Sequence, residues 1–253
     1  VAHMVRAALR GEPFLGLKTR LPATVLWLTE ERRRTLAPKL EGLPAERVRL
    51  LLRHEVRNPW PEVVAGVTEE VRQAGSPALV IVDTLGAWVG LTDENDAAAV
   101  EVALAPLRGL AAAGAAVLLV HHARKGSAHE DPEAAQGTSA RGSSALVGFA
   151  DILVELRRPR AEGTPPNQRE LYVISRFDLA PAIVCELREG RYVALGSREE
   201  VRRSAAVDEL LAALRDAAEP LTRGELEQQV SLRGQALTEA LAHAEAAGYI
   251  LRL

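Results

Sequence analysis

Long runs of consecutive apolar residues mark the first half of the chain. Residues 78–82 and 116–120 each form such a run, which is typical of a central parallel strand buried on both faces. Residues 24–28 and 47–52 predict two further strands of the same sheet. Because helical patterns separate these runs, the sequence predicts an α/β fold in which a mostly parallel sheet lies between two layers of helices.

Small and polar residues bound the predicted helices. The Ala- and Leu-rich segment 96–114 follows the acids Asp93 and Asp96 and ends at Gly114, which predicts one crossover helix with an acidic cap. Further helices are predicted at residues 1–10, 32–40 and 60–74.

The pattern changes after residue 122. Residues 123–142 are rich in Gly, Ser, Ala and charge and carry no hydrophobic period, so we interpret them as a mobile loop. Short alternating segments follow, and we interpret them as an antiparallel extension at the edge of the sheet. These predicted strands are residues 150–156, 171–174, 182–187 and 192–195.

The last part of the chain predicts a second, smaller domain of residues 198–253, after a first domain of residues 1–197. Its predicted elements are helices at residues 205–217, 223–230 and 235–247 and a strand at residues 249–251. Three helices and a strand wing are the pattern of a winged helix-turn-helix, with a plain three-helix cap as the alternative. Ten acids stand against seven bases in this segment, so protein contacts or subunit packing are as well supported as DNA binding.

Polar side chains follow two successive strands of the predicted sheet. Asp83 and Thr84 come directly after the strand at residues 78–82, and His121 and His122 follow the next strand. The carboxyl ends of parallel strands meet at the edge where open α/β sheets bind ligands. Taken singly, each feature has the alternative of a turn acid or an edge polar group. Together they favour a nucleotide site.

Composition narrows the classes of protein that fit. A net charge of -3 gives no global positive field to attract nucleic acid. The one cysteine, Cys185, excludes an internal disulfide and a Cys-cluster metal site, and suits a reducing compartment. No apolar run approaches the roughly 20 residues that span a membrane, and no signal peptide is visible, so we predict a cytoplasmic protein without a membrane partner.

Four motifs carry a resemblance to a known family. They are Leu28-Thr29-Glu30-Glu31, Val82-Asp83-Thr84-Leu85, residues 120–126 (VHHARKG) and residues 140–147 (ARGSSALV). In order and spacing they resemble the RepA-type replicative helicases, an AAA-labelled group of RecA-like ATPases. The resemblance covers roughly residues 7–193 and implies a RecA-like core that uses ATP and Mg²⁺ as cofactors.

The resemblance implies a role at the nucleotide for each matching residue. Asp83, with Thr84 beside it, resembles the Walker B aspartate, which holds the Mg²⁺ of ATP through water. Glu31 resembles the general base that orients the attacking water, and Glu30 is the adjacent candidate. His122, together with His121, resembles the polar sensor that reports the γ-phosphate to the DNA-binding loop.

Basic residues are assigned by the same resemblance. Arg124, Lys125 and Arg141 lie in a segment that resembles the DNA-contacting loop. Arg141 and Arg176 also resemble arginine fingers, which are worth about three orders of magnitude in rate; the alternatives are a loop surface charge and an exposed strand residue. The resemblance further implies a ring, most simply a hexamer, on single-stranded DNA, with a primase or a replication initiator as a further partner.

One part of the family pattern is missing from the chain. The phosphate loop G-x-x-x-x-G-K-[ST] does not occur, and the predicted helix at residues 1–10 stands where the helix after that loop is expected. The chain also begins with Val1 and carries Met4 internally. We therefore interpret it as N-terminally truncated, with impaired ATP binding.

Two functions follow from these observations. The first is an ATPase that couples ATP hydrolysis to translocation on, or unwinding of, DNA in plasmid, phage or mobile-element replication. The alternative is a non-enzymatic DNA-binding or assembly module on a RecA-like scaffold, which the missing phosphate loop favours.

Overall fold

The structure is a computed structural model that describes residues 1–75, 77–90, 96–122, 144–159, 164–177 and 182–251. The chain divides into two compact units, Val1–Glu155 with Tyr172–Ala180 and Leu156–Leu171 with Pro181–Leu253. The loop predicted at residues 123–142 lies outside the described residues.

The first four strands and seven helices are these. The strands are β1 (Thr24–Thr29), β2 (Val48–Leu52), β3 (Ala78–Asp83) and β4 (Ala115–Val120). The helices are α1 (Ala2–Arg10), α2 (Arg33–Leu40), α3 (Trp60–Ala74), α4 (Leu85–Val89), α5 (Ala97–Leu104), α6 (Leu107–Ala112) and α7 (Ser144–Phe149).

The strands β1 to β4 form a parallel sheet with the order β2-β1-β3-β4. The chain runs from β1 to β2 through α2, returns across the sheet to β3 through α3, and continues to β4 through α5 and α6. Right-handed crossovers change face when the direction along the sheet reverses. The predicted parallel sheet between two layers of helices is therefore confirmed.

Each face of the sheet has its own apolar core. On one face α1 and α2 cover β1 and β3, and the buried members include Val5, Leu36, Trp27 and Ile81. On the other face α3, α5 and α6 cover the same strands. The buried side chains there include Leu28, Val82, Val64, Val100 and Leu107. Burial on both faces explains why these strands read as continuous apolar runs.

The crossover predicted as one helix at residues 96–114 is two helices, so that prediction is wrong in detail. α5 ends at Leu104 and α6 begins at Leu107, with Pro106 between them. Proline has no N–H to donate and clashes with the preceding turn, which ends a helix. Asp96 caps α5 as predicted, because its Oδ1 accepts from the N–H groups of Ala98 and Ala99 at 3.0 and 3.1 Å. Asp93 lies outside the described residues.

The later strands form a sheet of their own. They are β5 (Ile152–Arg157), β6 (Gln168–Ser175), β7 (Ile183–Arg188) and β8 (Arg191–Ser197), in the order β5-β6-β7-β8. β7 is antiparallel to β6 and to β8. Within the described residues this sheet is separate from β1 to β4, so the prediction of an extension at the first sheet's edge is wrong. Alternation marks a strand but does not specify its partner.

Three helices follow β8 and share one apolar core. They are α8 (Arg198–Asp216), α9 (Arg223–Gln229) and α10 (Gly234–Ala246). Leu210 and Leu237 are fully buried at its centre. α8 begins before the predicted residue 205, because Ser197 and Glu200 form a capping box at its start. Residues 249–251 are not in a strand, so the predicted terminal strand is wrong and the winged helix stays a prediction.

Among the described residues, no helix combines the length and the apolar character needed to cross a bilayer.

Replacing Ile81 by Ala should strongly destabilise the first unit. Ile81 is 0% exposed in β3, so we expect the free energy of unfolding to fall by about 2–5 kcal/mol. All three tryptophans, Trp27, Trp60 and Trp88, lie in this unit, so urea titration followed by tryptophan fluorescence reports on it. The control is Val102→Ala on α5, where the side chain is 75% exposed and the change should stay within about 0.5 kcal/mol.

The helix caps of the second unit should weaken in acid. Hydrogen bonds from Ser197 hold the pKa of Glu200 below its ordinary 4.5, and those from Thr222 do the same for Glu225. A lowered folded pKa means that this stability is present above the unfolded pKa and is lost as pH falls through the folded one. We therefore expect far-UV circular dichroism in urea to show a larger acid-induced loss for wild type than for Glu200→Gln/Glu225→Gln, in which neither capping side chain can take up a proton. Equal losses would contradict this account.

Candidate functional site

The C-terminal ends of β1 and β3 lie side by side where the crossovers of the sheet diverge. Thr29, the last residue of β1, is in register with Asp83, the last residue of β3. The N–H of Glu30 donates to the Asp83 carbonyl at 2.9 Å and extends this pairing by one residue. Ligands of open parallel sheets bind at such a switch point. The structure therefore brings Glu30, Glu31 and Asp83 together at one edge.

The Asp83 carboxylate lies on the face of the sheet that α1 and α2 cover. Burial first, and then the negative charge of Glu31, raise the pKa of Asp83 above its ordinary 3.8. The Trp27 indole acts in the opposite direction, and Glu30 adds to the rise. The negative charge at Asp83 is thus incompletely compensated, so a bound cation would be favourable there.

Trp27 belongs to this site although sequence analysis assigned it only to a strand. Its side chain is 1% exposed, and its Nε1 makes no hydrogen bond of normal geometry among the described residues, but the indole lies near enough to Asp83 to lower the pKa of that carboxyl. Trp27 pairs in register with Ile81, two residues before Asp83, so both side chains lie on the face of Asp83. A buried indole N–H usually has an acceptor. The signal in the sequence was a tryptophan two residues before a polar strand end.

Glu30 and Glu31 are held by different partners. Glu30 Oε1 accepts a hydrogen bond from Thr84 Oγ1 at 3.3 Å, which joins it to the residue after Asp83. Both carboxylate oxygens of Glu31 lie 2.6 Å from Lys39 Nζ. The Glu31 N–H also donates to Thr29 Oγ1 at 3.1 Å. The two adjacent acids are therefore not equivalent.

Lys39 enters the site from α2, and sequence analysis gave it no role. Its side chain is about half exposed, and its Nζ lies 2.6 Å from a carboxylate oxygen of Glu31. The only signal in the sequence was its position eight residues after Glu31, across the start of a helix.

The donor set at the strand ends fits Mg²⁺ held through water. Asp83 offers a carboxylate and Thr84 a hydroxyl, and oxygen ligands with several retained waters are what Mg²⁺ prefers. Among the described residues, no three His, Cys, Asp or Glu side chains converge as a complete metal cage. An ion here would therefore take most of its ligands from water and substrate, with Asp83 as its main protein partner.

The two histidines lie at the same edge, one strand further along. Val120, the last residue of β4, is in register with Asp83, and His121 and His122 follow it. His121 is partly buried and His122 is exposed. The structure thus places the histidines after the strand next to Asp83, as predicted from the sequence.

The predicted basic residues are distributed differently. Arg124, Lys125 and Arg141 lie outside the described residues. Arg176 pairs with Asp151, with Nη1 and Oδ1 3.6 Å apart, and it also donates to the Gly148 carbonyl. These contacts anchor the guanidinium to nearby parts of the first unit, and its role as an arginine finger stays a prediction.

Arg53 closes the same edge from the end of β2 and was missed from the sequence. Its Nε donates to the Ala87 carbonyl at 3.2 Å, and its Nη1 donates to the Val56 carbonyl at 2.8 Å. Its guanidinium carbon lies 5.8 Å from the centre of the Trp88 ring. Arg53 therefore ties the end of β2 to α4, the helix that follows Asp83 and Thr84.

Comparison with known proteins assigns the chain to a family. The family model described as an AAA domain matches residues 1–128, just over half of the 253 residues. The chain belongs to the AAA domain family. The matched part of this AAA domain protein contains Glu30, Glu31, Asp83 and both histidines.

Two solved structures are similar to this chain at low sequence identity. One solved structure, described as an ATPase domain, is 12% identical to this AAA domain protein with a TM-score of 0.51, over 68% of this chain and 74% of that one. A structure of a DnaB-like replicative helicase and its interactions with primase is 14% identical with a TM-score of 0.49, over 67% of this chain and 50% of that one. The likeness to the first of these structures shows the fold alone. A comparison with curated proteins found no match.

Replacing Asp83 by Asn should stabilise the first unit at neutral pH. The raised pKa of Asp83 means that its ionised form is disfavoured in the folded state, so the cost applies above the folded pKa and disappears as the wild type takes up a proton. We expect a higher free energy of unfolding for Asp83→Asn at neutral pH, measured by tryptophan fluorescence in urea, and a smaller difference in mild acid. Glu101→Gln, an exposed acid on α5, is the control. A difference that grows on acidification would contradict the assignment.

Proposed function

We propose that this AAA domain protein is a RecA-like ATPase core of the RepA helicase type, which couples ATP hydrolysis to movement on single-stranded DNA. The observation that carries the proposal is the pairing of Thr29 with Asp83, which sets Glu30, Glu31 and Asp83 at the switch point of a parallel sheet. The description of the first solved structure as an ATPase domain, whose fold is similar, supports the same activity.

The residues divide the work of phosphoryl transfer between them. Mg²⁺, when bound with ATP, neutralises charge on the phosphates. Asp83 holds that ion through water, and its under-compensated charge suits this role. Glu31 is the general base that orients the attacking water, with Glu30 as the adjacent candidate. His121 and His122, which follow the neighbouring strand, sense the γ-phosphate and pass its state towards the DNA-binding loop.

The basic residues are proposed to contact DNA and the neighbouring subunits. Arg124, Lys125 and Arg141 contact the phosphates of single-stranded DNA, whose binding is largely electrostatic. Arg141 or Arg176 reaches the nucleotide of a neighbouring subunit in a hexameric ring. For Arg176 this requires release from Asp151. A primase or a replication initiator is the further partner of such a ring.

The second candidate is a non-enzymatic binding or assembly module. It is favoured by the acidic balance of residues 198–253, ten acids against seven bases. Arg223 bonds to Glu227 and Thr238, and Arg233 donates to the Val230 and Leu232 carbonyls. These local contacts reduce the positive charge available for DNA, so this part of the chain suits protein contacts better.

Asp83→Ala should separate the two candidates. The sequence carries no G-x-x-x-x-G-K-[ST] phosphate loop, so we expect wild type to bind ATP weakly, and the assay uses ATP at high concentration. Under those conditions single-stranded DNA should raise the rate at which wild type releases phosphate from ATP. Asp83→Ala should lower that rate by about 100-fold or more, because a preorganised charged group at the phosphates is lost. Glu101→Ala, an exposed acid on α5, should keep the wild-type rate. Binding of a fluorescent ATP analogue is measured in parallel. A wild type that binds DNA but neither binds nor hydrolyses ATP would end the enzyme proposal and leave the module.

A further inference from the structure

Glu31 is fully engaged by a cation of its own chain. Both of its carboxylate oxygens accept from Lys39 Nζ at 2.6 Å. A general base must accept a proton from water, and an oxygen already bound to an ammonium is a weaker acceptor for that water. Yet Glu31 is close enough to Asp83 to be the main charge that raises the Asp83 pKa. Glu31 therefore lies near Asp83, as a general base there must, but both of its oxygens are already bound to Lys39.

The position of Lys39 is set by α1 as well as by its own helix. Pro38 lies inside α2 and cannot donate a backbone hydrogen bond in the last turn. Arg6 of α1 instead holds this turn, because its Nη2 donates to the carbonyls of Lys39 and Glu41 at 3.2 and 3.0 Å. The contacts therefore run from α1 through the end of α2 to Glu31, and Glu31 adjoins Asp83.

The ion pair is accessible enough to open. The Lys39 and Glu31 side chains are 49% and 28% exposed, and ion pairs with this much solvent access are weak and sensitive to salt. Because the pair is weak, a nucleotide-bound cation near Asp83 can compete with Lys39 for the Glu31 carboxylate. A pair buried from water would be much harder to exchange.

We propose that Lys39 is a positioning residue that latches Glu31, holding the base occupied until ligand or DNA binding shifts the end of α2. This inference rests on the proposed role of Glu31 as the general base. A lysine in the last turn of a helix also interacts favourably with the helix dipole. That role alone would affect only the stability of α2, so the two accounts differ in what Lys39 does to Glu31.

The test compares substitutions on one helix. Lys39→Met keeps the side-chain stem and removes the charge, and Lys39→Arg restores the charge. The matched control is Arg33→Met, because Arg33 of α2 makes a 2.9 Å ion pair with Glu55 that does not involve Glu30, Glu31 or Asp83. Two properties are measured on the whole chain: binding of Mn²⁺ alone by electron paramagnetic resonance, and ATP hydrolysis without DNA at low and high salt.

We expect Lys39→Met to bind Mn²⁺ several-fold more tightly, because a free carboxylate then lies beside Asp83, and the double variant Glu31→Gln/Lys39→Met to lose this gain. Salt weakens the ion pair, so basal hydrolysis by wild type should be faster at high salt than at low salt. Lys39→Met should hydrolyse ATP severalfold faster than wild type at low salt and should lack this dependence on salt. Lys39→Arg should behave as wild type, and so should Arg33→Met. If Mn²⁺ affinity in Lys39→Met and Arg33→Met is the same, the latch is overturned.

The Mn²⁺ result separates this inference from the proposed function. If no variant hydrolyses ATP but Lys39→Met binds Mn²⁺ more tightly, the Lys39–Glu31 contact restrains the site as described and the ATPase proposal fails. If hydrolysis is present and depends on Asp83, but Lys39→Met changes neither property, the ATPase stands without the latch.

Discussion

The parallel pairing of β1 with β3 is the contact on which the site depends. A slip of one residue between these strands would turn every side chain of one strand to the opposite face. Both strands are apolar along their length, so their own pattern does not specify the register. Two different cores do so, because Trp27 and Ile81 pack under α1 and α2 while Leu28 and Val82 pack under α3, α5 and α6. The result is Thr29 beside Asp83.

The helices that cover the sheet also determine the charge at its edge. Asp83 lies on the face of α1 and α2, where burial and Glu31 disfavour its ionised form. The cation nearest to Glu31 comes from α2, whose last turn is held by Arg6 of α1. Packing and electrostatics therefore involve the same two helices. The three acids at this edge, Glu30, Glu31 and Asp83, outnumber Lys39, so the edge carries a net negative charge.

The contacts at the edge distinguish residues that look alike in the sequence. Glu30 bonds to Thr84 and Glu31 bonds to Lys39, although the two acids are adjacent. Arg53 and Arg176 both contact backbone carbonyls rather than solvent alone. These contacts determine which side chains must exchange hydrogen-bond partners during a reaction cycle. In the proposed ATPase, Glu31 has to exchange Lys39 for water, whereas Asp83 needs only an incoming ion.

The sequence by itself determined the local features of this protein. Strand cores, the capping role of Asp96 and the polar residues after β1, β3 and β4 follow from short-range hydrophobic patterns and capping chemistry, which act within a few residues. Tertiary structure alone decided the separate sheet β5 to β8, the burial of Trp27 beside Asp83 and the grip of Lys39 on Glu31. All three features depend on which distant segments pack together. Neither an apolar run nor a single lysine specifies in the sequence which residues it will contact.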